Sequence, residues 1–313
     1  MKTLKAELEP KRARFEVVLR DIFERLSRNV PPILREAMEY SLFSGGKRLR
    51  PILCGLACEA VGGSFESSYP AGVALEMIHT YSLIHDDLPA MDDDDVRRGR
   101  PTSHKVYGDA LAILAGDALQ AMAFEVLGDC YPPMISSVMM KELSKASGAL
   151  GMVGGQVLDL IADGRITQSH SHAPVDSSRG IGHLEMIHRL KTGALIRVSL
   201  LLGERASRIG GEPRKRSDDQ MSFWLQEYGA AFGLLFQVTD DLLDAEGDPE
   251  AMGKKSGKDA VLGKLTYPGL LGIEASRDKA RELVQTCILA AEKLGERGQM
   301  LAELARFVER RDR

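Results

Sequence analysis

Apolar residues return at three- and four-residue steps along almost the whole chain, and that spacing restricts it to helices packed on helices. Phe15, Leu19, Ile22, Phe23 and Leu26 form one such stripe. Pro31 and Pro32 interrupt it, Ile33, Leu34, Met38 and Leu42 resume it, and Gly45–Gly46 supplies a helix stop. Further helices are predicted near 50–61, 70–88, 107–130, 133–148, 149–163, 180–206, 217–244, 266–274, 276–294 and 298–310. Alternating β patterns are scarce and aromatic residues amount to only 5%, so no sheet is expected to carry the core. The stretch GRITQSHSHAPVDSSRG at 164–180 reads as a long surface loop. No repeat or linker divides the chain. One all-α domain spanning 1–313, with ten or more helices, is expected in place of the two ~150-residue domains that length alone suggests.

The 313 residues carry 41 Lys+Arg against 45 Asp+Glu, a net charge of −4. A general nucleic-acid or anionic-membrane binder would show a basic excess, so neither partner is expected. No stretch approaches the ~20 uncharged apolar residues of a membrane span. The start, MKTLKAELEPKRARFEVVL, lacks a signal-peptide apolar region, and a cytoplasmic location is expected. Cys54, Cys58, Cys130 and Cys287 make neither a disulfide framework nor a tetrahedral zinc set, and read as small buried hydrophobes.

The small net charge hides strong segregation. Residues 86–95, DDLPAMDDDD, hold six aspartates, and RRGR at 97–100 reverses the sign. A second cluster, DDLLDAEGD at 240–248, precedes Lys254, Lys255, Lys258 and Lys264. On a helix Asp240 and Asp244 lie nearly above one another, with Asp241 beside them. Like charges there repel, and a hard cation with oxygen ligands resolves the conflict. Asp86 and Asp92 would point about 120° apart on an ideal helix. Pro89 lies between them, so the helix should end there and let Asp92 swing back toward Asp86.

A solvated face is the bland alternative for either cluster alone. A calcium loop starting at Asp92 fails because Val96 occupies its fifth position. GGKR lacks the Walker A spacing, and neither G-x-G-x-x-G after a strand nor G-x-S-x-G occurs. His79 and His85 could be core histidines, and His170 and His172 read as solvated. Two acidic clusters, each entered by an apolar helix and followed by basic residues, point instead to carboxylates chelating Mg²⁺ beside a polyphosphate pocket.

Seven segments resemble the trans-isoprenyl diphosphate synthases, particularly the bacterial-type farnesyl diphosphate synthases. They are GGKRLRP at 45–51, HTYSLIHDDLPAMDDDDVRRGRPTSH at 79–104, LAGDAL at 114–119, GGQVLDL at 154–160, KTGALI at 191–196, FQVTDDLLD at 236–244 and GKLTYP at 263–268. The resemblance implies an all-α fold with the aspartate segments facing each other across a deep central cavity, and a homodimer. It implies transfer of an allylic group from dimethylallyl or geranyl diphosphate to isopentenyl diphosphate, releasing pyrophosphate.

By the same resemblance, three Mg²⁺ would be held by Asp86, Asp87 and Asp92 on one side and Asp240, Asp241 and Asp244 on the other. Arg97, Lys191, Lys254 and Lys264 would contact the allylic diphosphate, with Thr192 and Gln237 near the allylic cation. Lys47, Arg50, His79 and Arg98 would form a metal-free site for isopentenyl diphosphate. The leaving diphosphate thus receives metal while the retained one receives Lys, Arg and His alone. The departing pyrophosphate would accept the proton.

Tyr81 stands five residues before Asp86, about 7.5 Å deeper along a helix, where it would either floor the cavity under a growing tail or simply pack in the core. That aromatic, with Ala90, fits the farnesyl-forming members. Geranylgeranyl diphosphate synthase is the alternative within the family. A terpene cyclase would have no need of Lys47, Arg50 and His79, and a non-catalytic partner subunit would typically lose one aspartate motif. The basic tail 310–313 would either fold over the diphosphates or be a solvated end.

Overall fold

The computed structural model describes residues 2–173, 175, 180–210, 216–246 and 264–310. In chain order the α-helices are α1 (Lys2–Leu26), α2 (Pro32–Leu42), α3 (Leu49–Ala60), α4 (Tyr69–Asp86), α5 (Ser103–Tyr107), α6 (Asp109–Cys130), α7 (Pro133–Ser147), α8 (Met152–Ala162), α9 (Ile181–Lys191), α10 (Gly193–Ala206), α11 (Arg216–Glu246), α12 (Tyr267–Leu271), α13 (Ile273–Glu292) and α14 (Gln299–Glu309). The all-α expectation holds, and most predicted segments match within a few residues. Pro32 opens α2, where its missing N–H costs nothing.

Two departures stand out. The predicted 180–206 helix is broken at Thr192, between α9 and α10. The break accompanies tight packing: a Cβ on Gly155 would sit 2.2 Å from the Lys191 amide nitrogen, and one on Gly233 would sit 2.9 Å from the Gly193 Cα. The second departure is a small hairpin, β1 (Val96–Arg97) paired antiparallel with β2 (Arg100–Pro101). Its two turn residues, Arg98 and Gly99, both have positive φ, as tight hairpin turns require. Of the 164–180 loop, Gln168–His170 form a 3-10 turn, and 174 and 176–179 lie outside the described residues.

The described residues divide into two compact units, one of residues 2–141 with 202–210, the other of those within 142–201 and 216–310. In the first, α4 is the central helix, packed by α1, α2, α3 and α6. Residues 71–78 are all buried, so this helix is enclosed around its circumference. One charge is enclosed with it: Glu76 meets the buried Arg48 at 2.8 Å, and Arg48 also bonds Glu16 and the Leu42 carbonyl. Helix α6 is long and apolar enough to cross a membrane by length and composition. Its buried face, including Ala112, Ala115, Leu119 and Val126, packs with α4.

In the second unit α11 packs with α9, α12, α13 and α14. Tyr228, buried in α11, donates to the Leu301 carbonyl of α14 at 2.8 Å. All four cysteines are free; Cys54, Cys58 and Cys287 are buried and Cys130 is half-buried. Burial pushes the Cys58 thiol up to about 12, in keeping with an inert core cysteine.

Candidate active site

The apolar run of α4 ends at Asp86, and the chain then folds back on itself. The Asp92 amide donates to the Asp86 carbonyl at 2.8 Å, while the Met91 and Asp93 amides share the Leu88 carbonyl. Asp92 returns to the helix end, as Pro89 led us to expect. Asp93 adopts φ +51°, a left-handed conformation that aspartate tolerates better than most residues. Asp86 and Asp92 are both half-buried. Beside them Asp93, Asp95 and His104 bring ligand atoms within 4.8 Å of one another, with Asp95 paired to Lys105 at 2.7 Å.

Asp87 behaves differently from its neighbour. It is buried, and Arg97 from the hairpin grips its carboxylate, Nε lying 2.8 Å from Oδ1 and 2.9 Å from Oδ2. Arg97 is therefore turned to a protein carboxylate, a pairing that the sequence did not suggest.

The residues expected to bind isopentenyl diphosphate lie on α3, on α4, on the hairpin turn and, for Lys47, in the segment before α3. Arg98 donates to the Gly45 carbonyl and, at 3.3 Å, to the Ser44 hydroxyl. A Cβ on Gly46, at φ +133°, would meet the Arg98 guanidinium at 2.9 Å, so glycine there makes room for the cation. Burial lowers the pKa of both Arg50 and Arg98, and each also feels neighbouring arginine charge. The Arg50 Nε is buried with no hydrogen-bond partner among the described residues. Burial, then Arg50 and Arg98, hold the His79 imidazole well below its usual range and hence neutral near pH 7. Lys47 is exposed at the edge. Such a cluster of desolvated, mutually repelling cations favours a compact polyanion.

In the second unit, Lys191 ends α9 and donates to Asp159 of α8 at 2.5 Å. The Asp163 carboxyl is pushed up by burial and by Asp159, while Lys264, Arg165 and Lys191 oppose the rise. Asp159 and Asp163 are the site residues that the reading of the sequence missed. Their four-residue spacing on GGQVLDLIAD was the available signal, the same spacing as Asp240 and Asp244. Thr192 and Gln237 are half-buried, Thr192 at the α9–α10 break and Gln237 one turn beyond Gly233 on α11. Asp240, Asp241 and Asp244 lie on the last turns of α11, as expected, but the Asp241 Oδ2 already accepts the Tyr267 amide at 2.9 Å. Lys254 and Arg311–Arg313 lie outside the described residues.

Tyr81 is buried on α4, its ring edge-on to His85 at 5.7 Å. Burial, with Asp86 acting in the same direction, pushes its phenol up to about 12. His85 is a packing residue: its Nε2 lies 3.0 Å from the Ile113 carbonyl, and Gly116 of LAGDAL leaves the space its ring fills. His170 accepts the Thr167 amide on an exposed turn.

Half-buried carboxylates thus lie at one helix end in each unit, with separate basic side chains, on an all-helical fold. The chain belongs to the polyprenyl synthetase family, whose model matches residues 31–304. It is 43% identical to the farnesyl diphosphate synthase of Escherichia coli (strain K12), covering 95% of this chain and 98% of that protein. It is 46% identical to the chloroplastic heterodimeric geranylgeranyl pyrophosphate synthase large subunit 1 of Arabidopsis thaliana, over 81% of this chain and 65% of that protein. The crystal structure of an FPP/GFPP synthase from Zymomonas mobilis superposes with a TM-score of 0.77 at 36% identity, covering 96% of this chain and 99% of that one.

Proposed function

We propose that the chain is a short-chain trans-prenyl diphosphate synthase that condenses isopentenyl diphosphate with dimethylallyl or geranyl diphosphate to give farnesyl diphosphate. The family match supports the prenyl-transfer reading. The observation that carries the farnesyl product is the large ring of Tyr81, buried on α4 one and a half turns before Asp86. A tail growing away from the diphosphate along this helix meets that ring. A geranylgeranyl product is the second reading, because relatives so named match at 46% identity, no lower than the farnesyl-forming one.

Asp86 and Asp92 offer hard oxygen donors from a single turn, and Asp240 and Asp244 offer them from one helix face, so the donor chemistry fits Mg²⁺. Three ions per site is the number we propose. When bound, magnesium supplies the positive charge that a departing pyrophosphate requires. Asp87 and Asp241 carry other partners, Arg97 and Tyr267.

On the protein side, Lys191, Lys254 and Lys264 bind the allylic diphosphate, and Asp159 holds Lys191 in place. As the C–O bond breaks, the Thr192 and Gln237 dipoles face the allylic cation. Arg50, Arg98, Lys47 and neutral His79 hold isopentenyl diphosphate, whose double bond attacks that cation. The new C–C bond forms and a proton leaves to the released pyrophosphate, so no protein base is needed. Arg97 orients Asp87, and its further role in the proposal is to bind the allylic diphosphate. We further propose that 1–313 acts as one domain, a reading supported by the family match running through both units. A cytoplasmic homodimer completes the proposal; the exposed Ile113 and Leu114 on α6 offer an apolar face for a second copy.

The test is incubation of the purified chain with Mg²⁺, isopentenyl diphosphate and geranyl diphosphate, followed by chromatography of the dephosphorylated products. A C15 alcohol is expected. A C20 product would select the second reading, and no product would overturn both.

A further inference from the structure

Asp241 lies in the middle of the second aspartate cluster, yet its carboxylate is already engaged. Its Oδ2 accepts the Tyr267 backbone N–H at 2.9 Å, and His188 Nε2 lies 3.7 Å from the same oxygen. The His188 and Tyr267 rings stack at 5.7 Å with 16° between their planes. Tyr267 is fully buried and is the first residue of α12, where leading N–H groups lack partners within the helix. Thr266 satisfies another of these, its hydroxyl accepting the Gly269 amide at 3.2 Å. One carboxylate oxygen therefore joins α11 to the start of α12, with His188 of α9 packed beside it.

Lys264 lies close by in the chain. Lys264 is three residues before Tyr267, so its Cα lies within about 10 Å of the clamp even if the chain is fully extended. Lys264 in turn bears on the Asp163 carboxyl beside Lys191. We infer that Asp241 is a positioning residue, which anchors Tyr267 and thereby sets Lys264 for the allylic diphosphate, and that it is not a magnesium ligand. The role given to Lys264 rests on the prenyl-transfer reading; the clamp itself does not.

Hydrogen–deuterium exchange on the full chain without substrates reads the clamp directly. Asp241→Asn keeps an acceptor oxygen and should leave protection of the 264–271 segment in place. Asp241→Ala should speed its exchange roughly tenfold, the scale of one lost hydrogen bond. In the assay, Asp241→Ala should raise the KM for geranyl diphosphate, Asp241→Asn should restore it, and neither should move the midpoint of Mg²⁺ activation. Asp240→Asn should move that midpoint upward. A raised Mg²⁺ midpoint in Asp241→Asn, or unchanged exchange in Asp241→Ala, would overturn the inference. If the unaltered chain makes no prenyl product, the exchange result still decides whether the clamp exists.

Discussion

The amide of Asp92 donates to the carbonyl of Asp86 at 2.8 Å, and this one bond turns a six-residue separation into adjacency. The hydrogen bond is made by backbone, so the side chains can be changed without undoing the turn. Asp86→Ala, like Asp240→Ala, should therefore cost roughly 10³-fold or more in kcat, the scale of several kcal/mol of charge stabilisation. Thermal unfolding should move by only a few degrees. Chelation of Mg²⁺ should produce the same loss in the unaltered chain. Retained turnover in either variant would refute the metal assignment.

Replacing Tyr81 by alanine removes a buried ring from the side of α4 that precedes Asp86. The product should lengthen from C15 toward C20. If the extracted alcohols remain C15, another residue forms the floor.

The Arg48–Glu76 pair is buried on both sides, with side-chain exposures of 1% and 3%. Removing one partner strands the other charge, at a cost of about 3–5 kcal/mol. Glu76→Ala should lower Tm by roughly 10 °C for a chain of this size. Calorimetry that finds no shift would show that Glu16 and the Leu42 carbonyl suffice for Arg48.

Gly155→Ala would place a methyl 2.2 Å from the backbone nitrogen of Lys191, which cannot rotate out of the way. The helices must part, and overpacking of this kind costs about 1–3 kcal/mol. Because the displaced backbone carries Lys191 and Thr192, kcat/KM should fall further than stability does. Equal falls would mean that the packing is structural only.

The pH dependence of stability carries a sign for His79. Its pKa in the fold lies below its ordinary value of 6.5, first through burial and then through nearby arginines. Between the two values the unfolded chain binds the extra proton, so stability rises with pH. The contribution is complete above about pH 6.5 and is lost as pH falls through that value toward the folded pKa. Denaturant titrations from pH 7 to 5 should show a steeper loss in the parent than in His79→Gln.

The helices were legible because their signal is local: α4, α6 and α11 announce themselves by apolar spacing, and Pro89 marked the fold-back before Asp92. What escaped is set by long-range packing. Nothing near Thr192 predicts a helix break, which accompanies close packing at Gly155 and Gly233. The Asp87–Arg97 grip, the Lys191–Asp159 pair and the Asp241–Tyr267 contact likewise join residues that spacing along the chain cannot relate.

The hairpin turn carries one further consequence. Arg97 faces Asp87 and its neighbour Arg98 faces the Gly45 carbonyl, so a single peptide bond separates two arginines with different partners. On the assignments proposed, insertion or deletion of one residue here would not merely loosen the turn. It would present each arginine to the wrong diphosphate, so this exposed turn should tolerate changes of side chain far better than changes of length.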